Sequence, residues 1–318
     1  MLDYFLIFIS LLILILIYFK IADRYNIIDK PNERSSHSVV TIRGGGVVFS
    51  IAVVIAFLLG YATLSLTAAV LLVAVVSFID DIKPLHQLPR FFSHFIAVLL
   101  IVLDLEIYNI SLLLLPVILI FGIGWINLFN FMDGINGITV LYSLSCIITL
   151  GFVYKMDEAV FPVLVIMGLS CLVFALFNVR KKAKTFAGDI GSISMAVFLG
   201  YFLLKLVLKT NEIGYMLLIS IYAVDSIVTI IYRIREKENI FKPHRTHLYQ
   251  YLANELKIPH LVVSFSYAFI QIAINVLVIY TISIDVMTIY MFFGILVLLT
   301  AVYLLLRGSV LKKISDNA

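Results

Sequence analysis

Eleven long apolar runs occupy most of this chain and leave few ways for it to fold. A helix needs about 20 mostly apolar residues to span a bilayer, and 63% of the 318 residues are hydrophobic while only 13% are charged. Soluble domains are nearer to about half apolar and a quarter charged. We therefore predict an all-α, polytopic transmembrane bundle of about 11 helices that forms one domain over residues 1–318. The runs lie near 1–19, 46–62, 64–79, 91–107, 108–126, 138–154, 159–178, 190–208, 214–231, 261–281 and 286–306.

The positions of lysine and arginine predict the orientation of this bundle. If the N-terminus lies outside, the outside loops carry only Lys155 and Lys209, and Lys205 lies near the outer end of a helix. The inside segments then carry nearly all of the 23 lysines and arginines, as the positive-inside rule requires. The first run has no basic segment before it and no small-residue cleavage site, so we expect a retained helix. We predict an outside N-terminus and a cytoplasmic C-terminus.

The unusual polar segments all fall on the inside face of this topology, one in each inside loop. Chance would scatter them over both faces, so the coincidence favours an enzyme site at the cytoplasmic interface. The segments are 29–46 (DKPNERSSHSVVTIRGGG), 80–90 (DDIKPLHQLPR), 127–137 (NLFNFMDGING), 185–192 (TFAGDIGS) and 241–250 (FKPHRTHLYQ).

Asp80 and Asp81 end one of the apolar runs. Charged side chains are costly within a bilayer, and adjacent carboxylates repel each other. We therefore expect a divalent metal, a lysine or an arginine beside them. The alternative is a hydrated helix end without a chemical role.

Asn127, Asn130, Asp133 and Asn136 recur every three residues. Positions three apart share a face on a helix, and a stripe of amide and carboxylate oxygens suits magnesium, which prefers oxygen ligands. The alternative is that these side chains only cap a helix in a short loop.

Asp189 opens the eighth apolar run between two glycines. It is compatible with a simple helix cap, with a phosphate bound at the free N–H groups of the helix, and with a metal ligand. The segment Arg43–Gly46 is a weaker candidate for an anion site, because its glycines do not match the P-loop pattern.

His244, Arg245 and His247 place three side chains that can carry positive charge within four residues. Such groups suit a diphosphate or a nucleotide. Zinc and a plain basic loop are the alternatives, although no cysteine accompanies the histidines. Asp225 lies inside the ninth apolar run, where a carboxylate indicates function by default; a serine or threonine facing the bundle is a candidate partner.

Together these motifs resemble the polyprenyl-phosphate N-acetylhexosamine-1-phosphate transferase family. This family includes the phospho-muramoyl-pentapeptide translocase and the enzymes that start O-antigen and teichoic acid assembly. The resemblance covers nearly the whole chain, with the motifs in the expected order. They are P-N-x-R-S-S-H and R-G-G-G within 31–46, D-D at 80–81, N-x-x-N-x-x-D-G-x-x-G at 127–137, F-x-G-D-x-G-S at 186–192 and H-R-x-H at 244–247.

The resemblance implies a reaction in which undecaprenyl phosphate attacks the β-phosphorus of a UDP-HexNAc. UMP leaves, and undecaprenyl-diphosphate-HexNAc forms with the help of Mg²⁺ or, in its place, Mn²⁺. Asp189 would bind the metal with Asn130 and Asp133 nearby. The other implied site residues are Asp80 and Asp81 at the lipid phosphate, with Asn127, Asn136, Arg43, His244, Arg245 and His247 at the substrates.

Two departures favour the O-antigen or capsule-initiating branch over the peptidoglycan enzyme. Asn136 replaces a second aspartate, and H-R-T-H replaces a histidine run. We expect a multi-pass protein of the bacterial cytoplasmic (inner) membrane, in lipopolysaccharide or other cell-wall polymer assembly, with its active site on the cytoplasmic face. Its partners would be the bilayer and the two substrates, and we expect no nucleic acid. The sequence is also compatible with a homodimer. The alternative function is a transporter or flippase of lipid-linked sugars, which would place its polar site near the midplane.

Overall fold

The computed structural model describes residues 2–29, 40–109, 112–239 and 244–316. The P-N-x-R-S-S-H part of the family pattern and the residues 241–243 before the histidine segment lie outside this range. The helices are α1 Leu2–Arg24, α2 Val47–Leu58, α3 Leu64–Ile82, α4 Gln87–Asp104, α5 Leu114–Phe131, α6 Ile138–Val153, α7 Val160–Asn178, α8 Gly188–Thr210, α9 Ser220–Arg235, α10 Leu248–Gln250, α11 His260–Ser283 and α12 Ile289–Asp316. Two short strands, β1 Ile28–Asp29 and β2 Thr41–Ile42, pair antiparallel.

The predicted all-α membrane bundle is confirmed. Within the described ranges, 8 helical segments are long and apolar enough to cross a membrane, and three shorter apolar helices complete the eleven predicted runs. One of these segments, Ile213–Arg235, begins as a 3-10 turn over Ile213–Ile219 and continues as α9. The shortest apolar helix, α2, has 12 residues, which is about 18 Å of helix.

Local sequence signals explain where several helices begin. Pro89, Pro116 and Pro162 are each the third residue of their helix, in the first turn where an N–H group has no intrahelical partner to lose. The hydroxyl of Thr63 accepts the Leu66 N–H at 3.1 Å and so caps α3. Such caps define the helix starts that hydropathy alone places only to within a few residues.

Helix α8 lies at the centre of the bundle, in contact with α2, α3, α4, α5 and α6. Fourteen of its residues are buried, whereas α12 buries only Tyr303 and Arg307 and packs at the periphery on α9. The helix that opens with the predicted G-D-I-G-S motif is therefore the one around which its neighbours are arranged. This position brings the start of α8 against the polar ends of α3 and α5.

The short helix α10 and the π-helical turn Tyr251–Glu255 that continues it were not expected from the sequence. Three residues are too few to give a helical hydrophobic period. The segment is held instead by contacts with other helices, which are described below.

Candidate functional site

Asp81 is buried where α3 ends, and it binds the first turn of α8. Its two carboxylate oxygens accept the N–H groups of Asp189 at 3.0 Å and of Ile190 at 3.1 Å. Arg43 Nε lies 2.9 Å from the same carboxylate. A carboxylate at a helix N-terminus is stabilised both by the free N–H groups and by the helix dipole. Asp81 thus caps α8 from a neighbouring helix.

These α8 N–H groups are the ones that the sequence suggested as a phosphate site. The groups of Asp189 and Ile190 donate to Asp81 instead of being free for a ligand. The expected cation beside the aspartate pair is an arginine on each: Arg43 for Asp81 and, at 3.3 Å, Arg90 for Asp80.

Asp80 has a different environment from that of its neighbour. Its Oδ1 accepts the Leu85 N–H at 2.6 Å, and its Oδ2 faces Arg90. Arg90 also reaches Asp189, with 3.4 Å between its second terminal nitrogen and Oδ2. The Asp189 side chain is 20% exposed and that of Arg90 31% exposed, so this Asp80–Arg90–Asp189 group remains accessible from solvent.

The three glycines after Arg43 serve close packing. A Cβ on Gly46 would lie 2.3 Å from the Cα of Gly191 on α8, so the two backbones touch where only glycine fits. The N–H groups of Gly45 and Gly46 donate to the carbonyls of Phe186 and Ala187. The glycine-rich segment therefore fastens the Arg43 loop to the start of α8, and these two N–H groups are not available to an anion.

The N-x-x-N-x-x-D segment does not form one continuous stripe, because α5 ends at Phe131. Asn127 donates to the Ile123 carbonyl within its own helix at 2.8 Å. Asn130 Oδ1 accepts the hydroxyl of Ser192 on α8 at 2.6 Å, which joins the end of α5 to the G-D-I-G-S turn.

Asp133 lies beyond the end of α5 and accepts the Thr139 hydroxyl at 2.5 Å. Burial raises the pKa of Asp133 to about 6; the Thr139 hydrogen bond opposes the rise, repulsion from Asp189 adds to it, and attraction to Arg43 opposes it. Asp133 is therefore within electrostatic range of Asp189 and Arg43.

Asn136 is buried and joins two loops. Its amide nitrogen donates to the carbonyls of Arg180 at 2.9 Å and Lys181 at 3.3 Å, and its own carbonyl accepts the Ser264 hydroxyl. An aspartate at this position has no hydrogen to donate to those carbonyls. Asn136 was predicted to bind substrate, and its side-chain nitrogen is instead engaged within the fold.

The H-R-T-H segment meets the end of α5 through aromatic contacts. The His247 ring lies 4.9 Å from that of His244, and both lie near Phe131, at 6.4 and 6.1 Å between centroids. Tyr249 donates its hydroxyl to the Phe131 carbonyl at 2.9 Å. Burial, then the charges of His247 and Arg233, lower the pKa of His244 to about 4. A neutral His244 is therefore expected at pH 7.

Of the predicted residues, Asp80, Asp189, Asn130 and the two histidines thus lie along one chain of contacts, whereas Asn127 and Asn136 bond elsewhere in the fold. Asp80 and Asp189 share Arg90, Ser192 ties α8 to Asn130, and Phe131 carries the contact on to the two histidines. The sequence did not indicate the residues that connect this chain of contacts. Arg90 gave no signal because the positive-inside rule already explains an arginine in an inside loop. The missed residues are Arg90, Thr139, Ser192 and Tyr249.

The side-chain oxygens of this site fit a magnesium ion that takes most of its ligands from substrate phosphates and water. Among the described residues, no group of three His, Cys, Asp or Glu side chains could hold a metal. Magnesium is commonly held by only one or two carboxylates together with phosphates and water. Asp189 supplies an accessible carboxylate, and Asn130 Oδ1, with one hydrogen bond from Ser192, keeps a second lone pair for such an ion.

Comparison with known proteins gives a match to the family model described as Glycosyl transferase family 4 over residues 63–207. The chain is 31% identical over 122 residues to a phospho-N-acetylmuramoyl-pentapeptide-transferase of Lactococcus lactis subsp. cremoris, covering 37% of this chain and 36% of that protein. It is 25% identical over 273 residues to a probable undecaprenyl-phosphate N-acetylglucosaminyl 1-phosphate transferase of Bacillus subtilis, covering 76% of this chain and 74% of the relative. The chain thus spans about a third of the Lactococcus relative and about three quarters of the Bacillus one.

Proposed function

Since this chain belongs to glycosyl transferase family 4, we propose that it transfers a sugar-1-phosphate from a nucleotide sugar to a polyprenyl phosphate. In its specific form, the proposal is transfer of HexNAc-1-phosphate from a UDP-HexNAc to undecaprenyl phosphate. An oxygen of the lipid phosphate attacks the β-phosphorus of the donor. The bond from that phosphorus to the bridging oxygen breaks, and UMP leaves with the bonding electrons.

The observation that carries the proposal is the charged cluster at the ends of membrane helices, where Asp80, Asp189 and Arg90 meet beside Asn130. Phosphoryl transfer depends mainly on positioning and on stabilising charge. Two anionic substrates must approach each other, so the site needs fixed cations. Arg90, partly exposed in the first turn of α4, is placed to attract a phosphate that arrives from the bilayer.

The different contacts of Asp80 and Asp81 support separate roles for two residues that the sequence left with a shared one. Both oxygens of Asp81 accept α8 N–H groups, so we propose that Asp81 positions Asp189 rather than acting on the lipid. Asp80 keeps Arg90 in place and faces the accessible side of the cluster. A phosphate monoester has a second pKa near about 6, so the lipid phosphate is largely dianionic at neutral pH and needs no strong base.

Asp189, with Asn130 and Asp133, would hold the magnesium ion. When bound, the ion neutralises the charge that develops on the phosphate oxygens. His244, Arg245 and His247 would hold the nucleotide portion of the donor, with Phe131 and Tyr249 fixing the segment against the end of α5.

The position of the cluster at one end of the bundle also supports the cellular setting. We propose a bacterial inner-membrane enzyme with a cytoplasmic site that initiates a surface polysaccharide of the O-antigen, capsule or teichoic type. The amide of Asn136, which an aspartate could not replace in donating to two carbonyls, supports the assignment away from the peptidoglycan branch. Candidate donors are UDP-GlcNAc, UDP-GalNAc and the 6-deoxy HexNAc nucleotides.

Release of UMP by the purified protein tests the proposal. We expect release that requires both undecaprenyl phosphate and magnesium, and the donor that supports it identifies the sugar. A folded protein that releases no UMP from any UDP-HexNAc would contradict the transferase and favour the transporter alternative.

The proposed orientation has its own test in the turn after α4. Asn109→Cys places a thiol in the 3-10 segment Ile107–Asn109. This thiol should react with an impermeant reagent added outside intact cells, and the buried Cys146 and Cys171 should stay unlabelled. Labelling only after permeabilisation would show that the topology is the reverse of the proposed one.

A further inference from the structure

Asp225 is fully buried in α9, and its carboxylate is surrounded by hydrogen-bond donors from other elements. Its Oδ1 lies 3.2 Å from His247 Nδ1 and 3.2 Å from the Leu248 nitrogen. Two tyrosines also donate to it, Tyr303 at 3.0 Å and Tyr267 at 2.6 Å. The predicted threonine partner exists as well, since the Thr229 hydroxyl lies 3.3 Å away. The carboxylate therefore joins α9, α11, α12 and the start of α10.

The contact with His247 determines which ring nitrogen carries hydrogen. An ionised carboxylate can only accept a hydrogen bond, so Nδ1 is the protonated nitrogen. The other ring nitrogen, Nε2, is buried and has no hydrogen-bond partner among the described residues. Buried polar atoms in proteins are nearly always satisfied, and a carboxylate on one side of an imidazole commonly orients the other side for a ligand.

The same segment is held from a second direction. Arg307 of α12 donates to the Thr246 carbonyl at 2.7 Å, and its guanidinium lies over the rings of Tyr232 and Tyr251 at 4.9 and 5.2 Å. The backbone on both sides of the His247 ring is thus fixed, by Arg307 before it and by Asp225 after it. The ring itself lies against His244 and Phe131, next to the proposed nucleotide site.

We infer that Asp225 is a positioning residue that accepts the Nδ1–H of His247 and orients the ring so that, in its imidazolium form, the Nε2–H donates to the diphosphate of the bound nucleotide. The inference rests on the proposed function, because His247 is assigned to the donor site there. It gives the intramembrane carboxylate a task that is distinct from packing. Asp225 touches no substrate and acts only through the histidine.

The first test measures the tautomer and does not depend on activity. Full-length protein with ¹⁵N-labelled histidine should show one imidazole with Nδ1 protonated, assigned to His247 by its loss in His247→Asn. In Asp225→Ala, Nδ1 loses its acceptor, and we expect this signal to shift. An unprotonated Nδ1 in the unmodified protein, or an unchanged signal in Asp225→Ala, would overturn the inference.

The second test is a double-mutant cycle with UDP as the binding probe, measured by calorimetry in detergent. Asp225→Asn, nearly isosteric, should weaken UDP binding about 10-fold in the unmodified background and less than about twofold when His247 is already asparagine. Equal weakening in both backgrounds would show that Asp225 has a purely structural role. No weakening in either background would show that Asp225 and His247 are not coupled in UDP binding. This cycle decides the matter even if Asp225→Ala does not fold.

Tyr267→Phe is the matched control, because it removes one hydrogen bond to the other carboxylate oxygen, Oδ2, and leaves the His247 contact in place. It should change UDP affinity by less than about twofold. A failure of the proposed function is distinct from a failure of this inference: the unmodified protein would then neither bind UDP nor release UMP, whereas the tautomer would still report on Asp225.

Discussion

Two buried aspartates hold the two halves of the candidate site, and they do so in different ways. Asp81 accepts two backbone N–H groups at the start of α8 and is paired with Arg43. Asp225 accepts one backbone N–H at the start of α10 and binds mainly side chains, including the His247 ring. The first carboxylate therefore fixes a backbone that carries Asp189, whereas the second fixes the side chain of a site residue directly.

This difference predicts different consequences of mutation. Loss of a backbone cap should first reduce the stability of the bundle around α8, its central helix. Loss of a side-chain contact should first reduce ligand affinity, because α10 has only three residues and α12 is peripheral. Mutations in the α3–α8 half of the site test this difference between the two aspartates.

The largest expected effect is on the residue that Asp81 positions. Asp189→Ala removes the accessible carboxylate proposed to hold magnesium, so UMP release should fall by about 10³-fold or more while the protein still folds. Release of UMP and the elution profile in detergent are the two measurements. Near-normal turnover in this variant would remove Asp189 from the proposed mechanism.

The next effect compares adjacent aspartates. Asp81→Asn turns one oxygen that accepts an α8 N–H into a donor and leaves Arg43 without its partner, so unfolding should become easier by roughly 2–3 kcal/mol, as for hydrogen bonds to a charged group. Asp80→Asn, whose oxygens face one loop N–H and the partly exposed Arg90, should cost clearly less. Thermal unfolding of both variants in the same detergent gives the comparison, and equal losses would show that Asp81 is not the special cap.

The smallest effect tests the close packing that brings Arg43 to Asp81. Gly46→Ala would place a Cβ within 2.3 Å of the Gly191 Cα, so we expect a loss of about 1–3 kcal/mol. Gly124→Ala is the control, since nothing lies within 4 Å of its added Cβ and alanine favours a helix. If the two variants unfold at the same temperature, the Arg43 loop must be able to move away from α8.

The helices themselves could be predicted from the sequence because the bilayer requires long apolar runs and internally bonded backbone. Each of the eleven runs corresponds to an apolar helix, and the short helix α10 was missed because three residues show no period. In the structure, the D-D, N-x-x-N-x-x-D and G-D-I-G-S motifs, which the sequence placed on one face, lie close together. The sequence could not predict which group each side-chain oxygen contacts. Asp80 and Asp81 are adjacent in one motif, yet Asp80 faces Arg90 and Asp81 caps α8.

The sequence by itself determined the membrane class, the set of helices and the polar residues of the candidate site, because these depend on hydrophobic length and residue type. Only the tertiary structure decided that Asp81 caps α8, that Asn136 joins two loops and that Asp225 pairs with His247. These include contacts between residues 109 positions apart along the chain. Hydrogen bonds and ion pairs act over about 3–4 Å, and only the packing of the helices brings such distant residues within that range.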